Sequence, residues 1–222
     1  MGSRVGADGN KAYLQLAGRS MVSWSVDAVA STPSIDRTVV VFRRGERELV
    51  ASTLEAEIPS AKVELVEGGD SRHGSEWNVL RYLSADVESG AVDVVLIHDA
   101  ARPLAGSDMM STALSTARKF GGAIPAMAAH DVVRATPDLI ASGGALVRVQ
   151  TPQAFRARPL LDAYRRAEAE GIEGTDTSSC VERFTDVEVR TFPGASTNLK
   201  VTYPEDVLVA ARLLRDLVSD GT

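Results

Sequence analysis

The chain has 222 residues, enough for one large domain or two small ones, with the 44% hydrophobic and 24% charged content of an ordinary globular protein. A formal net charge of −6 speaks against a nucleic-acid-binding domain, which is normally basic, yet leaves room for a phosphate ligand held by a few local cations. Cys180 is the single cysteine, which excludes an internal disulfide framework and points to a reducing cytoplasm. Set among Thr177, Ser178, Ser179 and Val181, it reads as a small packing residue. No run approaches the roughly 18 apolar residues of a membrane span, and no signal-peptide pattern is present.

In chain order, residues 1–11 form a Gly-rich opening that carries Arg4 and Lys11. Glycines let backbone N–H groups approach a phosphate, although such loops usually follow a buried strand. Ser20 is read as the cap of a helix from Met21 to Ala30, with Val22, Val26 and Val29 on one stripe. Arg37–Phe42 is predicted as a strand, Arg44–Glu57 as a helix that Pro59 ends, and Lys62–Val66 as a further strand. A Gly68–Ser75 loop leads into a helix to Leu83. Val94–Ile97 then reads as a strand buried on both faces, followed by a helix from Asp108 to Phe120 and a strand from Gly121 to Met127. Strands alternating with helices at this spacing predict an α/β fold, a mostly parallel sheet with helices on both faces.

Between 130 and 149 the pattern changes to short apolar pairs separated by Thr136-Pro137-Asp138 and Ser142-Gly143-Gly144, which reads as a protruding β-hairpin arm. Gln150–Phe155 is taken as the lead into a helix from Pro159 to Glu170. Thr175-Asp176 opens another helix, Val187–Phe192 is a strand, and a last helix runs to about Val218 behind a Thr202–Glu205 capping box. The expectation is one domain, residues 1–222, with an arm at about 130–149.

The carboxyl edge of such a sheet is where ligands bind. Four loops converge there, supplying Arg4, Lys11, Arg72, Arg102 and Lys200 against Asp70 and Asp99. In isolation Asp99 reads first as a turn cap and Arg102 as a surface ion pair. Several cations, glycine backbone donors and one or two carboxylates together suit nucleotidyl or phosphoryl transfer, where charge spreads over phosphate oxygens. His98 reads as an imidazole bonded within the structure rather than a general base. No Ser-His-Asp order, zinc spacing or Walker lysine is present.

Taken together these motifs resemble the 2-C-methyl-D-erythritol 4-phosphate cytidylyltransferase family. The likeness rests on Gly2-x-Arg4 with Lys11-Ala12-Tyr13-Leu14, Gly68-Gly69-Asp70-Ser71-Arg72 with Ser75, His98-Asp99-Ala100-Ala101-Arg102-Pro103, Gln150-Thr151-Pro152-Gln153, Thr175-Asp176 and Asn198-x-Lys200. It implies a Rossmann-like sheet and attack of the polyol 4-phosphate on the α-phosphate of CTP with release of pyrophosphate. By the resemblance, Arg4 and Lys11 stabilise the transition state and Lys200 positions the incoming phosphate. Asp99, Arg102 and Asp131 face the polyol phosphate, while Gly2, Gly69, Asp70, Arg72, Ser75 and Ala100 bind CTP. Mg²⁺ or another divalent cation is implied, held mainly by the triphosphate with Asp99 the one candidate ligand, and the arm implies a homodimer.

The family's opening strand and Pro-Ala-Ala-Gly segment have no counterpart in this sequence, so the two neighbouring strands are expected to lack a partner. Asn10 stands where the family has proline, and Val132 and Gly143 stand where it has polar arm residues. Two alternatives therefore remain. One is a ribitol 5-phosphate or other polyol-phosphate cytidylyltransferase, against which Ala101 speaks. The other is a non-catalytic nucleotide-binding paralogue.

Overall fold

The structure is a computed structural model that describes residues 10–129, 146–174 and 176–220. The Gly2 and Arg4 positions, and the arm with Asp131, Val132 and Gly143, lie outside the described residues.

After a 3₁₀ turn at Lys11–Tyr13, β1 (Gln15–Leu16) and β2 (Arg19–Ser20) form a small hairpin. Ala17 (φ 48°) and Gly18 (φ 89°) both lie in the left-handed region, as a two-residue hairpin turn of the right twist requires. Ser20 then caps α1 (Met21–Ala30), as expected, its hydroxyl accepting the Ser23 N–H. The chain continues through β3 (Val39–Phe42), α2 (Arg47–Glu57), β4 (Glu64–Glu67), α3 (Arg72–Tyr82), α4 (Ser84–Ser89), β5 (Val94–Ile97), α5 (Ser107–Phe120) and β6 (Gly121–Ala128). It closes with β7 (Val147–Val149), β8 (Gln153–Arg156), α6 (Ala157–Glu170), α7 (Thr177–Phe184), β9 (Glu188–Pro193) and α8 (Pro204–Asp220).

The sheet is mostly parallel. β3 runs parallel to β4; β5, β6 and β9 share one direction, and β7 and β8 run against them. Period-two alternation covers both faces. Val95, Ile124 and Phe155 face the core built by α3, α4, α6 and α7, while Val94, Ala123 and Ala154 face α5 through Ala113 and Ala117. A third cluster packs α8 (Ala210, Leu214) against Leu16, Met21 and Val201.

Several expectations change. Gln153–Arg156 is a strand rather than a lead-in, inserted between β5 and β6 and antiparallel to both. It carries no β-branched residue, and its place is made from the other side: a Cβ on Gly122 would sit 3.0 Å from the Phe155 ring. Helix α3 starts at Arg72 instead of Ser75 because Ser71 caps it, accepting the Gly74 N–H at 3.0 Å. At the last helix the carboxylate that reaches back is Asp206, accepting the N–H groups of Thr202 and Tyr203 at 2.8 Å each, rather than Glu205. β7 pairs antiparallel with Ala126–Ala128, and the rest of the expected arm, 130–145, lies outside the described residues.

Among the described residues β3 pairs with β4 alone and β5 with β8 alone. Between the facing edges lies an apolar cavity of about 480 Å³, walled by β3 and β5, by Val22, Val26 and Val29 of α1, and by Val79, Leu80 and Leu83.

Candidate active site

The loop after β5 is shaped by its own hydrogen bonds. Arg102 N–H donates to the Asp99 carbonyl at 2.9 Å, closing a turn, and the Asp99 N–H donates to the Thr151 hydroxyl at 3.0 Å. That hydroxyl in turn faces His98 Nδ1 at 3.2 Å, so the imidazole carries its proton on Nε2 and donates it to the Arg102 carbonyl at 3.1 Å. Asn198, fully buried, donates to the Thr151 carbonyl at 2.9 Å, and Arg102 Nη1 donates to the Asn198 carbonyl at 2.7 Å. The Val201 N–H donates to the Ala101 carbonyl at 2.8 Å. The Gln150–Thr151 and Asn198–Val201 segments therefore brace the His98–Pro103 turn. Arg102 makes this internal contact rather than a surface ion pair.

Burial lowers the His98 pKa to about 4, outweighing the pull of the Arg102 carbonyl and Asp99. His98 is thus a neutral structural group, as expected. Between its ordinary 6.5 and the folded value near 4, the unfolded chain takes up a proton that the folded chain refuses. The stability this residue leaves intact above pH 6.5 should fall as pH drops toward 4, by on the order of 3 kcal/mol. Urea titrations at pH 7 and pH 4.5 measure this; a wild-type profile no steeper than that of His98→Gln would refute it.

Around this turn the cations gather. Asp99, its side chain 15% exposed, accepts Arg72 Nη1 on Oδ1 at 2.5 Å and Lys200 Nζ on Oδ2 at 2.7 Å. Burial alone would raise its pKa, but the Arg72 and Lys200 charges more than offset that and hold it at about 2. Lys11 Nζ donates to the Val201 carbonyl at 3.0 Å, which sets the cation of position 11 beside the segment carrying Lys200. Its 3₁₀ turn is capped by Asn10, whose side chain accepts the Ala12 N–H at 3.1 Å and donates to Glu46 at 2.7 Å. Asn10 thereby does by capping what a proline would do by restricting the backbone.

The Gly68–Ser75 loop is closed by Ser75, whose hydroxyl accepts the Gly69 N–H at 3.1 Å and donates to the Ser71 carbonyl at 2.8 Å. A Cβ on Gly69 would lie 2.8 Å from the Gly74 backbone, so glycine is required there by close approach. Asp70 is exposed at the loop's tip, ahead of the first turn of α3. Beside the loop a second cavity of about 210 Å³ is lined by Asn10, Ala12, Phe42, Arg43, Gly68, Gly69 and Ser75. Ala100 joins the apolar cluster of Ala12 and Tyr13 between the two loops, its carbonyl accepting the Ser25 hydroxyl at 3.1 Å.

Arg72, Asp99 and Lys200 are thus in direct contact, and Lys11, Arg102, Ala100, Gly69 and Ser75 surround them. Sequence reasoning missed Arg43 and Glu76, and gave Thr151 a place in a motif but no role. Arg43 directly follows a predicted strand, a usable signal; Thr151 and Glu76 act through partners distant in the chain. Among the described residues no three His, Cys, Asp or Glu side chains come together, and both Asp99 oxygens are taken by cations. These residues therefore do not build a protein-only metal cage.

A mostly parallel α/β sheet with a glycine loop and several cations at its carboxyl edge defines a nucleotide-handling enzyme of the nucleotidyltransferase class. The profile of the 2-C-methyl-D-erythritol 4-phosphate cytidylyltransferase (IspD) family matches residues 1–216, and the chain belongs to that family. A relative of that name from Solibacter usitatus is 35% identical over 224 residues, covering 96% of this chain and 88% of its own. One from Geobacter metallireducens is 35% identical over 221 residues, covering 97% and 94%. The crystal structure of 4-diphosphocytidyl-2C-methyl-D-erythritol synthase from Anaerococcus prevotii superposes with a TM-score of 0.80 at 25% identity, covering 93% of this chain and 90% of that one. The enzyme from Thermus thermophilus gives a TM-score of 0.71 at 26% identity, over 92% and 94%.

Proposed function

We infer that this chain transfers the cytidylyl group of CTP to 2-C-methyl-D-erythritol 4-phosphate, releasing pyrophosphate, a step of isoprenoid precursor synthesis. The observation that carries this reading is the Arg72–Asp99–Lys200 chain, which joins the glycine loop to the Lys200 segment through one carboxylate. On this reading the glycine loop, Arg72, Ser75 and Ala100 hold the nucleotide, and Asp70 and Gly2 complete that side. Lys200 holds the acceptor's phosphate, and Asp99 accepts the polyol hydroxyls beside Arg102, with Asp131 contributed by the arm.

A phosphate oxygen of the acceptor attacks the α-phosphorus in line; the new P–O bond forms as the bond to the bridging oxygen breaks, and pyrophosphate leaves with the electron pair. Lys11 and Arg4 neutralise the charge that builds on the equatorial oxygens. A divalent cation such as Mg²⁺ enters, in this proposal, as a complex with the triphosphate rather than on protein ligands. Homodimerisation through the arm belongs to the same proposal, supported by Leu146, Val147 and Val149, which leave apolar surface exposed at the arm's base. So does a cytoplasmic location, supported by the lone free cysteine; no described helix is long and apolar enough to cross a membrane.

Pyrophosphate release from CTP, measured with methylerythritol phosphate, ribitol 5-phosphate or no acceptor, tests the reading. Turnover that requires methylerythritol phosphate and is abolished by EDTA is expected. Turnover with ribitol phosphate alone would overturn the acceptor, and CTP binding without turnover of either would make the chain a binding paralogue.

A further inference from the structure

Glu76 lies one turn after Arg72 on α3, with its side chain only 10% exposed. A carboxylate so enclosed needs partners, and it has three. Oε1 accepts Arg72 Nε at 2.9 Å and the Thr177 hydroxyl at 3.0 Å, while Oε2 accepts the Tyr164 hydroxyl. Tyr164 is fully buried in the core, and His73 stacks on its ring at 4.5 Å between centroids with 9° between planes. Thr177 is also fully buried, at the start of α7 behind the Asp176 cap. Three helices, α3, α6 and α7, therefore fix the carboxylate in place. Burial and the Glu76 charge push the Tyr164 hydroxyl well above its ordinary pKa, so it stays a donor.

We propose that Glu76 is a positioning residue: clamped by Tyr164 and Thr177, it holds Arg72 by Nε so that the other end of the guanidinium faces Asp99 and the bound nucleotide. A guanidinium is a rigid planar fork, so fixing Nε fixes the direction of both Nη groups. Arg72 is 39% exposed and, without this hold, would lose more rotamer freedom on meeting a ligand. The carboxylate also balances charge. Glu76, Arg72, Asp99 and Lys200 alternate in sign, and removing the first leaves Arg72 to settle wholly on Asp99, taking up the oxygen assigned to the polyol. A buried carboxylate is a weak source of stability compared with apolar packing, so fold stability alone accounts poorly for it.

This proposal rests on the assignment of Arg72 to the nucleotide, and a double-mutant cycle separates the two. Glu76→Ala should raise the KM for CTP about tenfold at a temperature where circular dichroism shows it folded, with a smaller change in kcat. Glu76→Gln, which keeps an acceptor for Arg72 Nε, should recover most of that loss. Adding Glu76→Ala to Arg72→Ala should change the KM no further. A full, additive effect on the Arg72→Ala background would overturn the proposal, since Glu76 would then act independently of Arg72. So would an unchanged KM in Glu76→Ala when Arg72→Ala raises it. An unchanged KM in Arg72→Ala itself removes the nucleotide role of Arg72, and the positioning role falls with it. Should Glu76→Ala fail to fold, Tyr164→Phe, which deletes one of the three holds, carries the same comparison with a smaller expected rise.

Discussion

A Lys11→Ala enzyme should lose about 10²- to 10³-fold in kcat, the effect of deleting one donor aimed at developing oxyanion charge. Its fold should hardly notice. The turn that carries Lys11 is organised by Asn10, Glu46 and the Ala12 N–H, none of which uses the lysine side chain. The substitution removes a long-range hydrogen bond to the Val201 carbonyl, at 3.0 Å, from a half-exposed side chain. Stability should therefore shift by no more than about 1 kcal/mol. Lys11→Arg keeps the charge but replaces a compact ammonium by a planar fork, and should recover only part of the rate. Steady-state pyrophosphate release alongside a urea midpoint checks both halves. Wild-type turnover in the alanine enzyme would remove Lys11 from the reaction.

Substituting Asp99 should be nearly as costly, and in two ways. Asp99→Ala leaves Arg72 and Lys200 facing each other without their shared anion. Breaking a fully buried pair costs 3–5 kcal/mol, but these cations are 39% and 44% exposed, so solvent should limit the loss to about 1–2 kcal/mol. Catalytically, kcat/KM for the polyol phosphate should fall about 10²-fold, since Lys200 is no longer held in place and, on the proposed assignment, a hydroxyl acceptor disappears. Asp99→Asn tests the charge alone. The folded pKa near 2 lies below the ordinary 3.8, so the carboxylate contributes fully above 3.8 and loses that contribution as pH falls through 2. The stability gap between wild type and Asp99→Asn should accordingly close over that interval. A gap that is the same at pH 5 and pH 2 would mean that Arg72 and Lys200 do not stabilise the charged form.

Much of this was readable from local pattern. Ser20 ahead of a valine stripe marks α1 because a cap and a period of 3.6 are properties of neighbours in the chain. Val94–Ile97 running into His98-Asp99 marks β5 and its loop for the same reason. What escaped was set at a distance. Gln153–Arg156 is a strand only because β5 and β6 offer edges on both sides and Gly122 leaves room for Phe155. Ser71 moved the start of α3 and with it carried Arg72 and Glu76 onto one helix face. The clamp on Glu76 joins residues 88 and 101 positions apart, a separation that no periodicity encodes. Likewise Thr151 reads as a loop residue until its hydroxyl is seen between Asp99 and His98.

The open slot between β3 and β5 has a mechanical meaning. A continuous ladder of main-chain hydrogen bonds makes neighbouring strands move as one plate, and among the described residues the ladder is interrupted between β4–β3 and β5–β8. The two plates are coupled by side chains instead, where α1 meets α5 and where α3 meets α6. The glycine loop issues from the first plate and the Asp99 turn from the second, so the Arg72–Asp99 pair works as a latch across a seam. Shear along that seam would strain packed side chains rather than a backbone ladder, and it would change the spacing between the glycine loop and the Asp99 turn.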